Sequence, residues 1–240
     1  MLAIDIISVQ PQMLKGFLAE SIVARAVRKG AVGINLVDLK EYGIGRWRKT
    51  DDKPYGGGPG MLMRCEPWFA AVEACAGPEM RSEIENGRLR IIMTSPAGLT
   101  WTQKDAGAFA DLSASGSSSL RLVFLCGHYE GFDARIETLA TDRYSIGDFV
   151  MTGGELAAAA MVDSIVRLLP GVLGGGPAAT ASESFGRDGL LECPQYTHPP
   201  EFRGMKVPEV LLSGDHLKID GWRRSEARRL TERTRPELLK

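Results

Sequence analysis

What the chain lacks narrows its chemistry first. Only four cysteines occur in 240 residues, Cys65, Cys75, Cys126 and Cys193. No two form a Cys-x-x-Cys pair, and none of the three histidines stands at zinc-ligand spacing from them. A disulfide framework and a zinc knuckle are therefore excluded, and the thiols read as small apolar groups of a reducing compartment. No uninterrupted apolar run of about 18 residues exists, so no segment is long enough to span a membrane as a helix. The opening "MLAIDIISVQPQ" has no basic n-region and reads as a first strand, not a signal peptide. Together these absences predict a cytoplasmic protein. The familiar nucleotide and hydrolase signatures are missing too. There is no G-x-G-x-x-G, no G-x-x-x-x-G-K-[ST], no H-E-x-x-H and no G-x-S-x-G, which argues against a Rossmann dehydrogenase, a P-loop enzyme, a zincin and a nucleophile-elbow hydrolase. There is no internal repeat and no long low-complexity tract.

An excess of one charge sign is also missing. The formal net charge is −1, so the whole chain is no polycation. The charge is unevenly spread, however. From Leu217 to Lys240 eight Lys/Arg oppose four acids, a net of +4, which leaves about −5 for the remainder. Two readings of that tail stay open: a polyanion footprint, or a solvated helix laced with its own ion pairs.

What is present is a soluble composition, 44% hydrophobic and 25% charged, organised as alternating strands and helices. "AIDIISV", "AVGINLVDL", "RLRIIMTS" and "LRLVFLCG" read as strands. "PQMLKGFLAESIVARAVRKG" carries helical spacing (Met13, Phe17, Ile22, Val23, Ala26) and stops at Gly30. "TWTQKDAGAFADL" ends in a helix, and "GFDARIETLA" reads as another. Alternation of this kind predicts an α/β domain with a mainly parallel, buried sheet, whose ligands bind at the carboxyl ends of the strands. The loops "TSPAG" (94–98), "CGHYEGFD" (126–133) and "SIGDFVMTGGE" (145–155) all follow apolar runs. They are rich in glycine, which lets a ligand lie directly on the backbone. "DDKPYGGGPGM" (51–61) is a further glycine-rich loop without a hydroxyl nucleophile. "GGGPAATASES" has a linker's composition. It separates a domain at 1–173 and a linker at 174–189 from a proline-rich, then charged and helical region at 190–240.

Six blocks carry a specific resemblance: "DDKPYGGGPGMLM", "CGHYEGFDARI", "SIGDFVMTGGE", "DSIVRLLPGVLG", "GLLECPQYT" and "VPEVLLSGDH". In this order they resemble the bacterial tRNA (guanine-N1)-methyltransferases of the SPOUT superfamily, from about Ile6 to Leu239. The resemblance implies an α/β SPOUT domain with a deep trefoil knot, a small helical C-terminal domain, a homodimer and S-adenosylmethionine as methyl donor. The methyl acceptor it implies is N1 of the guanosine 3′-adjacent to a tRNA anticodon (position 37), preceded by another guanosine. It also brings magnesium dependence, for which the sequence offers no metal cage.

By motif the resemblance places cofactor contacts at Met93, Thr94 and Ser95, at Gly127, Tyr129 and Glu130, and along Ser145, Ile146, Gly147, Asp148, Phe149, Val150 and Met151, then Gly153 and Gly154. Glu130 would hold ribose hydroxyls. It makes Glu183 of "SESF" the general base and Arg167 of "DSIVR" the stabiliser of charge developing on O6. RNA contacts fall at Tyr55, Pro59, Gly60, Ser184, Arg223, Arg224 and Arg228. Two positions depart from the pattern: Glu183, where the family more usually has Asp, and His198, where it more often has Arg. The alternatives are a SPOUT ribose 2′-O-methyltransferase and a non-catalytic RNA-binding protein that kept the fold. The "DDKPYGGGPG" loop and the "GLLECPQYT" segment count against the first, and Arg167 with a carboxylate at 183 against the second.

Overall fold

The computed structural model describes residues 1–114, 120–174, 180, 182–186 and 188–239. The chain divides into two compact units, Met1–Gly174 and Gly175–Lys240.

In the first unit five strands form one parallel sheet: β1 (Leu2–Ser8), β2 (Val32–Asp38), β5 (Leu89–Thr100), β6 (Arg121–Cys126) and β7 (Asp142–Ser145), in the order β2-β1-β6-β5-β7. β3 (Asp51–Asp52) and β4 (Leu62–Met63) form a separate short antiparallel pair. Strand alternation builds a core on each face of the sheet. Leu2, Ile4 and Ile6 with Leu122, Phe124 and Cys126 point to one side, against α2 (Ser21–Arg28), α5 (Gln103–Ala114) and α6 (Glu155–Val166). Ile7, Val123, Leu125, Ile91 and Met93 point to the other, against α3 (Cys65–Ala76), α4 (Met80–Glu85) and the 3-10 turn Ala134–Leu139. Sheets covered on both faces need near-continuous apolar strands, and "RLVFLC" is one. Phe124 is fully buried, so Phe124→Ala would cost about 3–5 kcal/mol.

Three local expectations change. The segment expected as one helix up to Gly30 is a 3-10 turn (Pro11–Leu14), α1 (Lys15–Ala19) and α2, broken where Glu20 is extended and Ser21 takes φ 56°. On an unbroken helix Val23 would sit about 180° around the axis from Leu14, at ~100° per residue. The break turns both to the same core. The stop at Gly30 holds, with φ 70°. "TSPAG" is no simple loop. β5 pairs with β7 up to Thr94, shifts register, and resumes pairing at Leu99, so residues 95–98 bulge out of a continuing strand. "GFDARIETLA" forms only the 3-10 turn Ala134–Leu139.

The second unit holds a short antiparallel pair, β8 (Glu201–Phe202) with β9 (Met205–Lys206), then α7 (Glu209–Leu212) and α8 (His216–Thr234). The Asp215 carboxylate caps α8 by accepting from Lys218 N–H. Thr231, the buried residue of α8, accepts from Leu191 N–H at 3.0 Å and ties the irregular segment to the helix. Residues 175–179, 181 and 187 of the expected linker lie outside the described residues.

Candidate active site

The carboxyl ends of β5, β6 and β7 meet at one glycine. Gly154 N–H donates to Gly127 O at 2.8 Å, and His128 and Gly153 pair as an isolated antiparallel bridge. A β-carbon on Gly154 would lie 2.0 Å from Thr94 Oγ1 and 3.0 Å from Cys126 Cα. Only glycine lets the loop after β7 lie against the other two strand ends. Thr94 Oγ1 is itself fixed, donating to Leu125 O at 2.9 Å. Ser145 Oγ both donates to Gly147 O (3.0 Å) and accepts from Gly147 N–H (3.2 Å), which pins the start of the third loop.

The loop after β6 is tied to the glycine-rich loop in turn. Glu130 N–H donates to Met61 O, Met63 N–H to Gly131 O, and Asp133 N–H to Met63 O, at 3.0, 2.9 and 3.0 Å. A β-carbon on Gly60 would lie 2.3 Å from the Glu130 side chain, so Gly60 and Glu130 are in direct apposition. Tyr129 sits in the left-handed region at φ 58°, a conformation that costs a non-glycine residue energy and concentrates at functional loops. Arg135, donating to Asp133, holds that carboxyl well below the usual range.

These loops enclose a cavity of about 340 Å³. Every residue of the expected cofactor set lines it except Asp148. His128, Phe132 and Thr152 line it as well, unforeseen from sequence although they lie inside the same motifs. The walls mix peptide groups with apolar side chains. Cys126, beside the cavity, is fully buried, and burial, then the Glu155 charge, push its thiol well above its ordinary value. Burial and then Asp51 push the Tyr129 hydroxyl up as well.

Under the cavity lies a buried polar cluster that sequence reasoning missed. Glu155, in the first turn of α6, is 1% exposed. Its Oε1 accepts from Ser8 Oγ at 2.6 Å and stands 3.8 Å from His128 Nδ1. Only "GGE" hinted at it, as an acid at a helix N-terminus.

Other expected residues lie elsewhere. Arg167 closes the C-terminus of α6 and does not line this cavity. Tyr55 is fully exposed on the glycine-rich loop, and Pro59 is exposed too. In the second unit Glu183, Asp188, Asp220, Arg223 and Arg224 line a cavity of about 440 Å³. Ser184 Oγ accepts from Glu192 N–H at 3.0 Å. Along α8, Arg223 pairs with Asp220, Arg228 with Glu232 and Arg229 with Glu226. Arg224 has no ion pair among the described residues. Among the described residues no cluster of His, Cys, Asp or Glu is placed to hold a metal ion, so the magnesium expectation finds no cage there.

A glycine-lined cavity at the carboxyl ends of a parallel sheet defines an α/β protein with its cavity where open sheets of this kind take small ligands. Comparison with known proteins narrows the class. The profile of the family described as tRNA (Guanine-1)-methyltransferase TrmD matches residues 2–240. Proteins named tRNA (guanine-N(1)-)-methyltransferase are similar along their length. That of Anaeromyxobacter sp. (strain K) is 47% identical over 99% of this chain and 91% of its own. That of Geobacillus kaustophilus is 48% identical over 98% and 91%, and that of Latilactobacillus sakei 44% over 98% and 90%. The chain belongs to this family of tRNA guanine-N1 methyltransferases.

Proposed function

We propose that this protein methylates N1 of the guanosine immediately 3′ of a tRNA anticodon, where another guanosine precedes it, using S-adenosylmethionine. We infer further that it works as a cytoplasmic homodimer with the knotted chain path of its family. The observation that carries the reading is the meeting of Thr94, Gly127 and Gly154 around a cavity rich in exposed peptide groups. The cavity suits the cofactor. Its volume lies in the range of small-molecule sites, about 300–1,000 Å³, and its peptide groups can read an adenine edge while Met93, Ile146 and Phe149 cover apolar faces. Glu130 supplies a carboxylate for ribose hydroxyls.

Bound there, the cofactor supplies an electrophilic methyl group. The protein's part is placement, proton removal and charge stabilisation. The loops 127–131 and 145–154 would hold the cofactor and position it for the base. Guanine N1 carries a proton at neutral pH, and its lone pair attacks only as that proton leaves. Glu183 takes the proton. Arg167 stabilises the negative charge that develops on O6. Tyr55, Pro59, Gly60 and Ser184 contact the target nucleotides, and Arg223, Arg224 and Arg228 contact phosphates.

The test is methyl transfer to paired tRNA transcripts that differ only at the guanosine pair, with nucleoside analysis of the product. N1-methylguanosine on the guanosine-pair transcript alone is expected. A 2′-O-methyl nucleoside would replace the reading with a ribose methyltransferase. No transfer to either transcript would leave RNA binding without catalysis.

A further inference from the structure

We propose that the hairpin at residues 44–49 is a docking platform for an unpaired nucleotide of the RNA substrate, with Trp47 stacking on the base and Arg46, Arg48 and Lys49 engaging phosphates. This rests on the tRNA reading above and extends it to residues that reading does not use.

The hairpin is tightly built. Ile44 and Lys49 exchange both backbone hydrogen bonds, at 2.9 and 3.0 Å. Gly45 and Arg48 turn the chain at φ 68° and 47°. A β-carbon on Gly43 would lie 2.2 Å from Arg48 O, so the two arms are in backbone contact. This frame holds Trp47 78% exposed, whereas Trp68 is fully buried in the core. An indole fixed in water by a rigid turn, without packing, has no role in the fold.

Its surroundings match a nucleotide. The Arg46 guanidinium lies 5.6 Å from the Trp47 ring centroid. Among the described residues Arg46, Arg48 and Lys49 make no ion pair, unlike the arginines paired along α8. The hairpin borders a surface cavity of about 520 Å³ that Lys40 also lines. Two carboxylates, Asp38 and Asp51, line it as well. Lys40, Arg46, Arg48 and Lys49 stand against these two carboxylates, which leaves the cations in excess. An aromatic face flanked by unpaired cations is how proteins hold unstacked bases and their phosphates. A protein partner would look for a wider apolar patch than Trp47 and Tyr129. Tyr129 lines both this cavity and the candidate cofactor cavity, so the platform is continuous with the place where the base must react.

The test is binding of a labelled guanosine-pair tRNA transcript across a salt series. The proteins are the full chain, Trp47→Ala, Trp47→Phe and the double variant Arg46→Gln/Lys49→Gln. S-adenosylmethionine calorimetry, sedimentation and single-turnover methylation accompany it. Trp47→Ala should weaken binding about tenfold or more, the scale of a single base–aromatic stack, with the salt slope unchanged. Trp47→Phe should restore most of it. The double variant should flatten the slope by about 0.7 for each phosphate that is no longer neutralised. Cofactor affinity should hold in all of them, since none of these side chains lines its cavity. Transcript affinity within twofold of the parent in Trp47→Ala, with methylation intact, overturns the platform and leaves the proposed function standing. Dimer dissociation in Trp47→Ala overturns it by making the face a contact between copies. A parent protein that neither binds nor methylates the transcript removes both readings.

Discussion

Gly153 lies between Glu155 and His128 with no room for a side chain. A β-carbon at 153 would stand 2.3 Å from Glu155 Oε2 and 2.6 Å from His128 Nδ1. Gly153→Ala must therefore separate the buried carboxylate from the imidazole and push the third loop away from the second. Overpacking of this kind costs about 1–3 kcal/mol, or several degrees in thermal midpoint at ~2–4 °C per kcal/mol for a chain of this size. S-adenosylmethionine binding should weaken at least tenfold by calorimetry. Gly107→Ala is the control: it lies within α5 with nothing within 4 Å of its β-carbon position, and should stabilise by about 0.5–1 kcal/mol. Equal behaviour of the two variants would show that the close approach at Gly153 does not matter.

Alkaline pH should loosen the fold in two stages. Burial, then the Asp5 charge, push the Cys75 thiol up to about 11. Burial, then Asp105, push the Tyr144 hydroxyl up to about 12. Both groups are held neutral in the folded state, so the unfolded state gives up its protons first. Stability is then constant below the unfolded values, about 8.5 for Cys and 10 for Tyr, and falls as pH rises from there through the folded ones. Thermal midpoints measured across this range should decline, less steeply for Cys75→Ala in the first stage and for Tyr144→Phe in the second. A profile flat to pH 11 in the parent protein would contradict this.

Of the arginines on α8, Arg224 should matter most to RNA. Arg223 and Arg228 already face Asp220 and Glu232, and must give up those partners to reach phosphate. Arg224→Gln should weaken transcript binding and lower its salt slope by about 0.7–0.9, with a smaller change for Arg228→Gln. An unchanged slope in Arg224→Gln would make the basic tail a solvated face.

Arg167 belongs to the first unit and Glu183 to the second, and the homodimer proposal carries the prediction that each site draws the two from different subunits. Each single alanine variant should be nearly inactive. Mixing an Arg167→Ala chain with a Glu183→Ala chain should restore part of the activity, because one of the two sites then holds both intact residues. Heterodimers as inactive as their parents would end the shared-site idea.

The parts of the fold that could be read from the chain are those where one local rule decides. The β-rich run "AIDIISV" and the apolar run "LRLVFLC" mark β1 and β6, because both faces of those strands are buried. β7 escapes such reading. It is four residues long, on the sheet edge, and begins with Asp142, whose charge is met by Arg90 on the neighbouring strand. The break at Ser21 is set by what the two helices pack against, not by any residue that forbids a helix. At the site, glycine marked the loops because close backbone approach demands it. The Glu155–His128–Ser8 cluster joins residues up to 147 positions apart, and no spacing rule reaches that far. Trp47 carried no signal beyond its neighbours' charge until the hairpin showed it exposed.

Glu183 is the residue on which the proposed chemistry turns. It lies in a turn closed by Gly186 N–H donating to Glu183 O at 2.9 Å and Phe185 N–H donating to Leu190 O at 2.7 Å. It lines a cavity that the carboxylates Asp188, Glu192 and Asp220 share with Arg223 and Arg224. Glu is one methylene longer than the aspartate more usual in the family, a change that a turn can absorb. A positioned base contributes about 10²–10⁴-fold, so Glu183→Gln should lower the single-turnover methylation rate by at least about two decades. S-adenosylmethionine and tRNA should still bind, and Glu183→Asp should keep much of the rate. Raising the pH should partly rescue Glu183→Gln, because solvent then shares the removal of the N1 proton, whereas a merely structural loss would show no such rescue. Asp188 lines the same cavity and is the internal rival. If Glu183→Gln keeps more than about a tenth of the rate at neutral pH while Asp188→Asn loses two decades, the base is Asp188 and the assignment moves five residues along the chain.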